Sequence, residues 1–104
     1  MIKTKYYDDK KVMSVQHTDD EGLTHREDGP AIIYYNLDGS VDYMLYWIHG
    51  KIHNEDSHAY ISYNQNRTIF SMWYYINNKR VSIEEFKAYR RKNIIDRIIN
   101  SVCQ

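Results

Sequence analysis

Residues 25–40, HREDGPAIIYYNLDGS, hold a polar cluster, a Gly-Pro pair, a β-branched and aromatic run and an Asp-Gly turn signal. His25, Glu27 and Asp28 standing together suit either an active-site loop or one tile of a repeated structure. A shift of the chain against itself by 28 residues decides for the tile: His25 falls on His53, Glu27 on Glu55, Asp28 on Asp56 and Ala31 on Ala59. The register runs on through Tyr35 and Tyr63, Asn36 and Asn64, Tyr46 and Tyr74, Ile48 and Ile76, and Lys51 and Lys79. Backwards by the same step, Tyr7 falls on Tyr35 and Gly22 on Gly50, so the pattern predicts about three units without an insertion.

Each unit reads as two strand-like runs around a turn. Pro30 to Asn36, the turn at Asp38 and Gly39, and Val41 to Ile48 form the clearest one, after which His49 and Gly50 open a polar connection. The third unit is Ala59 to Asn64, a turn near Gln65 and Asn66, then Thr68 to Ile76, closed by Asn77 and Asn78. The first is degraded: Thr4 to Asp8, a turn near Asp9 and Lys10, Lys11 to His17 and the loop TDDEG, as expected of a terminal repeat with one face in solvent. The predicted fold is therefore mainly β, an antiparallel meander of about six strands from three 28-residue hairpin repeats over residues 1–81, with one C-terminal α-helix over 82–104. Eleven tyrosines, two tryptophans and two phenylalanines with one proline favour the same class.

The loops then have a structural reading. His25, Asp28, His53 and Asp56 cap free backbone groups between units, Gly29 takes a positive φ, and Pro30 begins a strand without needing a ladder donor. Equivalent residues of stacked hairpins form a row spaced by ~10 Å, whereas a metal needs three or four ligands converging on one point. Neither a metal nor a cofactor is expected. Nor does a serine or Cys103 sit in a nucleophile context, and a phosphate-cradling glycine loop is lacking, so enzyme is the disfavoured class.

After Asn78 the pattern turns helical. Ser82 with Glu85 three residues on is a capping box that starts a helix near Ile83. Ile83 and Phe86 share one face; Ile94, Ile95, Ile98, Ile99 and Val102 share another, rotated from it, with Arg90, Arg91 and Lys92 between. The first stripe is expected to cap the sheet. The second either bends back onto it or meets a second molecule; one curved helix lying wholly on its own sheet is the competing arrangement.

Charge and length bound the partners. Fourteen Lys and Arg against fourteen Asp and Glu in 104 residues give no net field for nucleic acid or an anionic membrane, and no run approaches a membrane span. The single Cys103 cannot form an internal disulfide, and the start at Met1 lacks a leader pattern, which predicts a cytoplasmic protein, of the host cell if the source is viral. The codon bias implied by Ile, Asn, Lys and Tyr points weakly to an AT-rich genome such as a phage or large DNA virus.

HREDGPAIIYYNLDGS, followed by an aromatic strand and His49-Gly50-Lys51, resembles the variant MORN-like repeat proteins, whose units run His-Arg-Glu-Asp-Gly-Pro-Ala, strand, Asp-Gly, aromatic strand, Asn-Gly-Lys. The resemblance spans roughly residues 5 to 81, and VSIEEFKAY, residues 81–89, looks like the helical ending of such arrays. It departs in the third unit, where Ser57 and His58 replace Gly-Pro and Asn66 and Arg67 replace Asp-Gly, so it implies no fixed loop chemistry there. It implies a binding role, since similar arrays occur in phages, giant viruses and bacteria and some related bacterial repeats are linked to toxin neutralisation. The leading expectation is a protein-binding module that inhibits or sequesters a protein target through Tyr43, Tyr46, Trp47, Trp73, Tyr74, Tyr75, Arg90, Arg91, Ile95, Ile98 and Ile99. Single-stranded nucleic acid stacking on the sheet aromatics, a homodimer through the C-terminal helix, and a virion component are the alternatives.

Overall fold

The structure, a computed structural model, describes residues 1–102; Cys103 lies outside them. Nine strands and one helix follow in order: β1 Ile2–Tyr6, β2 Val12–His17, β3 Ile32–Tyr35, β4 Val41–Leu45, β5 Trp47–Ile48, β6 Lys51–Ile52, β7 Tyr60–Tyr63, β8 Ile69–Ile76, β9 Lys79–Val81 and α1 Ile83–Val102. The main sheet runs β1-β2-β3-β4-β7-β8-β9, antiparallel throughout, and β5 and β6 pair as a separate ribbon. This is the expected antiparallel meander with one helix.

The extra strands arise at Tyr46, where the expected run Val41 to Ile48 breaks. The Tyr46 N–H donates to the Ala59 carbonyl and its own carbonyl accepts from His53 N, so the chain leaves the β4 ladder there. Trp47 and Ile48 pair instead with Ile52 and Lys51. His49 and Gly50 are the two central residues of that hairpin, with φ of 44° and 80°, and Asn77 and Asn78 repeat the geometry at 46° and 74° between β8 and β9. Two successive left-handed residues twist a two-residue turn to match its strands. These pairs are thus tight turns rather than openings of a polar connection.

The strand starts also move. Pro30 precedes β3 by one residue beyond Ala31 rather than starting the strand, and the first hairpin holds Ile2–Tyr6 rather than Thr4 to Asp8. The hairpin loop bonds Tyr7 N–H to Lys11 O, Asn36 N–H to Ser40 O and Asn64 N–H to Thr68 O mark equivalent positions. Tyr7 therefore matches Asn36 rather than Tyr35, and the segment between His17 and His25 carries one more residue than the segment between Tyr46 and His53. An uninterrupted period fails in the first unit.

Hardly any side chain is deeply buried. Ala31 and Ala59 are fully covered and Phe86 nearly so, but among the described residues no large side chain is fully enclosed, as expected for a single-layer sheet in a molecule 57 × 33 × 19 Å across. The two sheet faces differ. On one, Thr4, Val15, Ile33, Met44, Ile61 and Met72 stand directly opposite one another from β1 to β8. On the other, Tyr34 stacks on Tyr43 at 4.7 Å, Tyr43 on Tyr60 at 6.2 Å and Tyr60 on Trp73 at 4.9 Å, with the Arg80 guanidinium 4.1 Å over Trp73. Such cross-strand pairs are the main stabilising unit of a sheet.

The helix starts as its capping box dictates: Glu85 N–H donates to Ser82 Oγ at 3.1 Å and Ser82 N–H to Glu85 Oε1 at 3.3 Å. Phe86 stacks on Tyr74 at 4.3 Å, on the Met72 side of the sheet, and Tyr89 meets the His53 ring edge-on. Beyond that turn Ile94, Ile95, Ile98, Ile99 and Val102 are exposed. Of the first stripe Phe86 caps the sheet while Ile83 stays exposed; the second stripe does not return to it.

Candidate functional site

The repeat-loop histidines come out as turn braces. His25 Nδ1 accepts the His49 N–H at 2.9 Å, and His53 Nδ1 accepts the Asn77 N–H at 3.0 Å, each bond 24 residues long. Both therefore hold the first left-handed residue of a tight turn. In both, Nε2 lies 3.6 Å from the glutamate two residues on, Glu27 or Glu55.

The other loop residues divide. Asp28 pairs with Arg26 at 2.9 Å rather than capping backbone, and the guanidinium holds its carboxyl below the usual carboxylate range. Arg26 Nη1 also donates to the Pro30 carbonyl, and Asn54 Nδ2 makes the corresponding bond to the His58 carbonyl. Arg26 and Asn54, which the sequence reading passed over, close these loops. Gly29 does not take a positive φ; a Cβ there would sit 3.1 Å from Arg26 Cζ, so its missing side chain makes room for the guanidinium. Asp56 is exposed beside the helix, in a hollow with Glu55, Arg90, Asn93, Ile94 and Arg97.

One titratable cluster was not anticipated. The His25 and His49 rings stack at 4.0 Å, and His49 Nδ1 lies 2.9 Å from Asp19 Oδ2. Asp19 Oδ1 accepts from Glu21 and Leu23 N–H groups, and the bond to His49 is the main cause of its lowered pKa. Ligand atoms of Asp19, His25 and His49 lie within 4.8 Å of one another. The donor chemistry does not suit a metal: the fixed His49 N–H occupies the His25 Nδ1 lone pair, which places the proton of neutral His25 on Nε2. His25 thus has no lone pair to offer, and two ligands remain. Asp19 and His49 are 30 residues apart, and no local pattern in the sequence signals their meeting.

The aromatic candidates separate by face. Tyr43 and Trp73 belong to the ring ladder; Tyr74 lies under the helix, sandwiched between Phe86 and His58 at 4.3 and 4.0 Å. Tyr75 stands opposite Arg80, and Trp47 opposite Ile52. All six, Tyr46 included, are half-buried rather than fully exposed. Trp47 Nε1 is buried and lacks a hydrogen-bond partner among the described residues. Burial, with the Tyr34 hydroxyl a smaller cause, pushes the Tyr43 hydroxyl pKa up. Arg90 and Arg91 are exposed with Ile95, Ile98 and Ile99 on the free part of the helix, while Arg97 reaches back to Glu55 at 2.8 Å.

Two histidines give the fold a pH dependence. Burial lowers the pKa of His58, and burial with Arg26 nearby lowers that of His17, both from 6.5. A depressed folded-state pKa means that the neutral form is favoured in the fold, so its stabilisation is present above pH 6.5 and is lost as pH falls through that window. Urea unfolding at pH 7 and pH 5 should show a lower midpoint at pH 5, and His58→Gln should shrink the difference. Asp19 and Asp28 act separately, their contribution being lost only below about 3.8. A midpoint unchanged between pH 7 and 5 would contradict the assignment.

Among the described residues no helix is long and apolar enough to cross a membrane. Comparison of the chain with protein-family models, with curated proteins and with solved structures gives no match.

Proposed function

We propose that this chain is a non-enzymatic protein-binding module of repeated β-hairpins, MORN-like in pattern, that inhibits or sequesters a protein target in the cytoplasm of a phage- or virus-infected cell or within a bacterial conflict system. The observation that carries the reading is the aromatic ladder Tyr34, Tyr43, Tyr60, Trp73, ended by Arg80. Aromatic side chains and arginine are the residues most enriched in interface cores. Tyr43, Tyr60 and Trp73 each have a ring or guanidinium partner on either side, which leaves few ring faces for unpaired bases to stack on; this favours a protein partner over nucleic acid. The row of equivalent loop histidines also has its lone pairs committed to turn N–H groups, which leaves them poor general bases.

The test is affinity capture from host extract with the wild-type chain and with Tyr43→Ala, whose fold is checked by circular dichroism. One stoichiometric protein, retained by wild type and weakened at least tenfold by the variant, supports the reading. Salt-sensitive retention on single-stranded DNA, or hydrolytic activity dependent on His25 or His53, would replace it.

A further inference from the structure

The sheet has two open edges of different character. At the first, β1 carries Lys3 and Lys5, and its pairing with β2 is irregular at Tyr6. Edge lysines and bulges discourage pairing with other chains. At the second, β8 reads IFSMWYYI without a charge or proline. β9 covers only Tyr74–Ile76 of its outer side, so Ser71, Met72 and Trp73 have no strand beyond them among the described residues. Met72 and Phe70 are 41 % and 73 % exposed there.

The molecule itself shows what such an edge takes. Ser14–Gln16 of β2 pair outward with Ile32–Tyr34, and Tyr43–Leu45 of β4 pair outward with Tyr60–Ser62. In both the central residue, Val15 or Met44, faces an isoleucine, Ile33 or Ile61. Ser71–Trp73 pair inward with Tyr60–Ser62 as Tyr43–Leu45 pair inward with Ile32–Tyr34, so β8 presents the same edge in the same register with no strand paired to it among the described residues, α1 meeting β8 further on, at Tyr74.

We propose that the outer edge of β8 at Ser71–Trp73 is a strand-docking site that takes an extended antiparallel segment of a partner protein, with a β-branched aliphatic residue opposite Met72 and a bulky apolar or aromatic residue opposite Trp73. This rests on the protein-binding reading and adds the mode of binding: backbone hydrogen bonds supply affinity and alternate side chains supply selectivity. A second copy fits less well. Its β1, docked in the same register, would set Lys3 against Trp73, where Arg80 already lies 4.1 Å over the ring. Its β8, docked about a twofold axis at Met72, would collide with β9, which already occupies the outer side of Tyr74.

The probe is a synthetic peptide YISYN, residues 60–64 of this chain, capped at both ends and titrated into the full protein while amide resonances are followed; it begins at the residue set opposite Trp73 and so stops short of β9. Saturable shifts at Ser71–Trp73 are expected. N-methylation of the peptide amides facing β8 should weaken binding at least tenfold, whereas methylation of the outward amides should not. Met72→Lys, which sets a charge against the incoming aliphatic residue, should weaken it similarly. Shifts centred on the helix or the ring ladder, or indifference to the position of the methyl groups, overturn the proposal. Concentration-dependent self-association abolished by Met72→Lys also overturns it, by placing a second copy on the edge. A captured partner that is lost with Tyr43→Ala but kept with Met72→Lys removes the edge proposal and leaves the protein-binding reading in place.

Discussion

Phe86→Ala should undock the helix and lower the thermal midpoint by more than 10 °C. Phe86 is the only buried residue of α1, 5 % exposed, and it ends a stack of three rings, His58, Tyr74 and Phe86. Removing a buried phenylalanine costs about 3–5 kcal/mol in a closed core, and about 3 kcal/mol is the appropriate end of that range in a single-layer sheet. A domain of this size moves by roughly 4–8 °C per kcal/mol, which gives the stated shift. What remains to hold the helix is the Tyr89 contact with His53 and the Arg97 pair with Glu55, whose arginine side chain is largely exposed. Exposed pairs contribute about 0–1 kcal/mol, and most of a helix's stability in a protein comes from the packing of its apolar face, which the substitution removes. Far-ultraviolet circular dichroism should therefore lose most of its helical signal at a temperature where the strand signal persists. Ile98→Ser is the control: its side chain touches solvent, and the midpoint should change by no more than about 0.5 kcal/mol equivalent. Equal effects of the two substitutions would mean that the helix is held by its second stripe, contrary to the exposure of that stripe.

The parts of this architecture that were legible in the sequence are those determined within a few residues. Ser82 and Glu85 form a capping box whichever sheet lies nearby, and the hairpin loop around Asp38 and Gly39 follows from local turn chemistry, Gly39 having φ of 86°. In the third unit Arg67 adopts the same left-handed conformation, φ 70°, so the hairpin survives a departure from the Asp-Gly pattern. The break at Tyr46 was not legible because it is imposed from outside its own strand, by Ala59 and His53. The alternation of Tyr43, Leu45 and Trp47 looks continuous until those partners are known. The same holds for the candidate surfaces. Alternation places Trp73 and Tyr74 on opposite faces but cannot say that Phe86 and His58 cover Tyr74 while Tyr60 and Arg80 cover Trp73. Arg26 and Asn54 differ in residue type at equivalent positions, so identity matching missed them, although each donates to the carbonyl four residues on.

His53→Ala should destabilise the domain by about 2 kcal/mol, the sum of a lost hydrogen bond and the lost packing of a buried ring. Its Nδ1 is the acceptor for Asn77 N–H, in a turn whose two residues both have positive φ and which aims β9 and the helix beyond it. With the ring gone, that N–H loses its protein partner and Tyr89 loses the ring it meets edge-on. His53→Asn places an amide oxygen close to the former Nδ1 position and should recover part of the loss; His53→Leu restores volume without the acceptor and should recover less. That ordering separates a hydrogen-bond role from a packing role, since packing alone predicts leucine above asparagine. The equivalent change at His25 should cost less, about 1 kcal/mol, because its ring is more exposed and no helix packs on it. If the histidines were instead metal ligands, chelator would lower the wild-type midpoint and the two alanine variants would lose that sensitivity. With Nδ1 committed to a backbone N–H in both loops, chelator should leave the wild-type midpoint where it is.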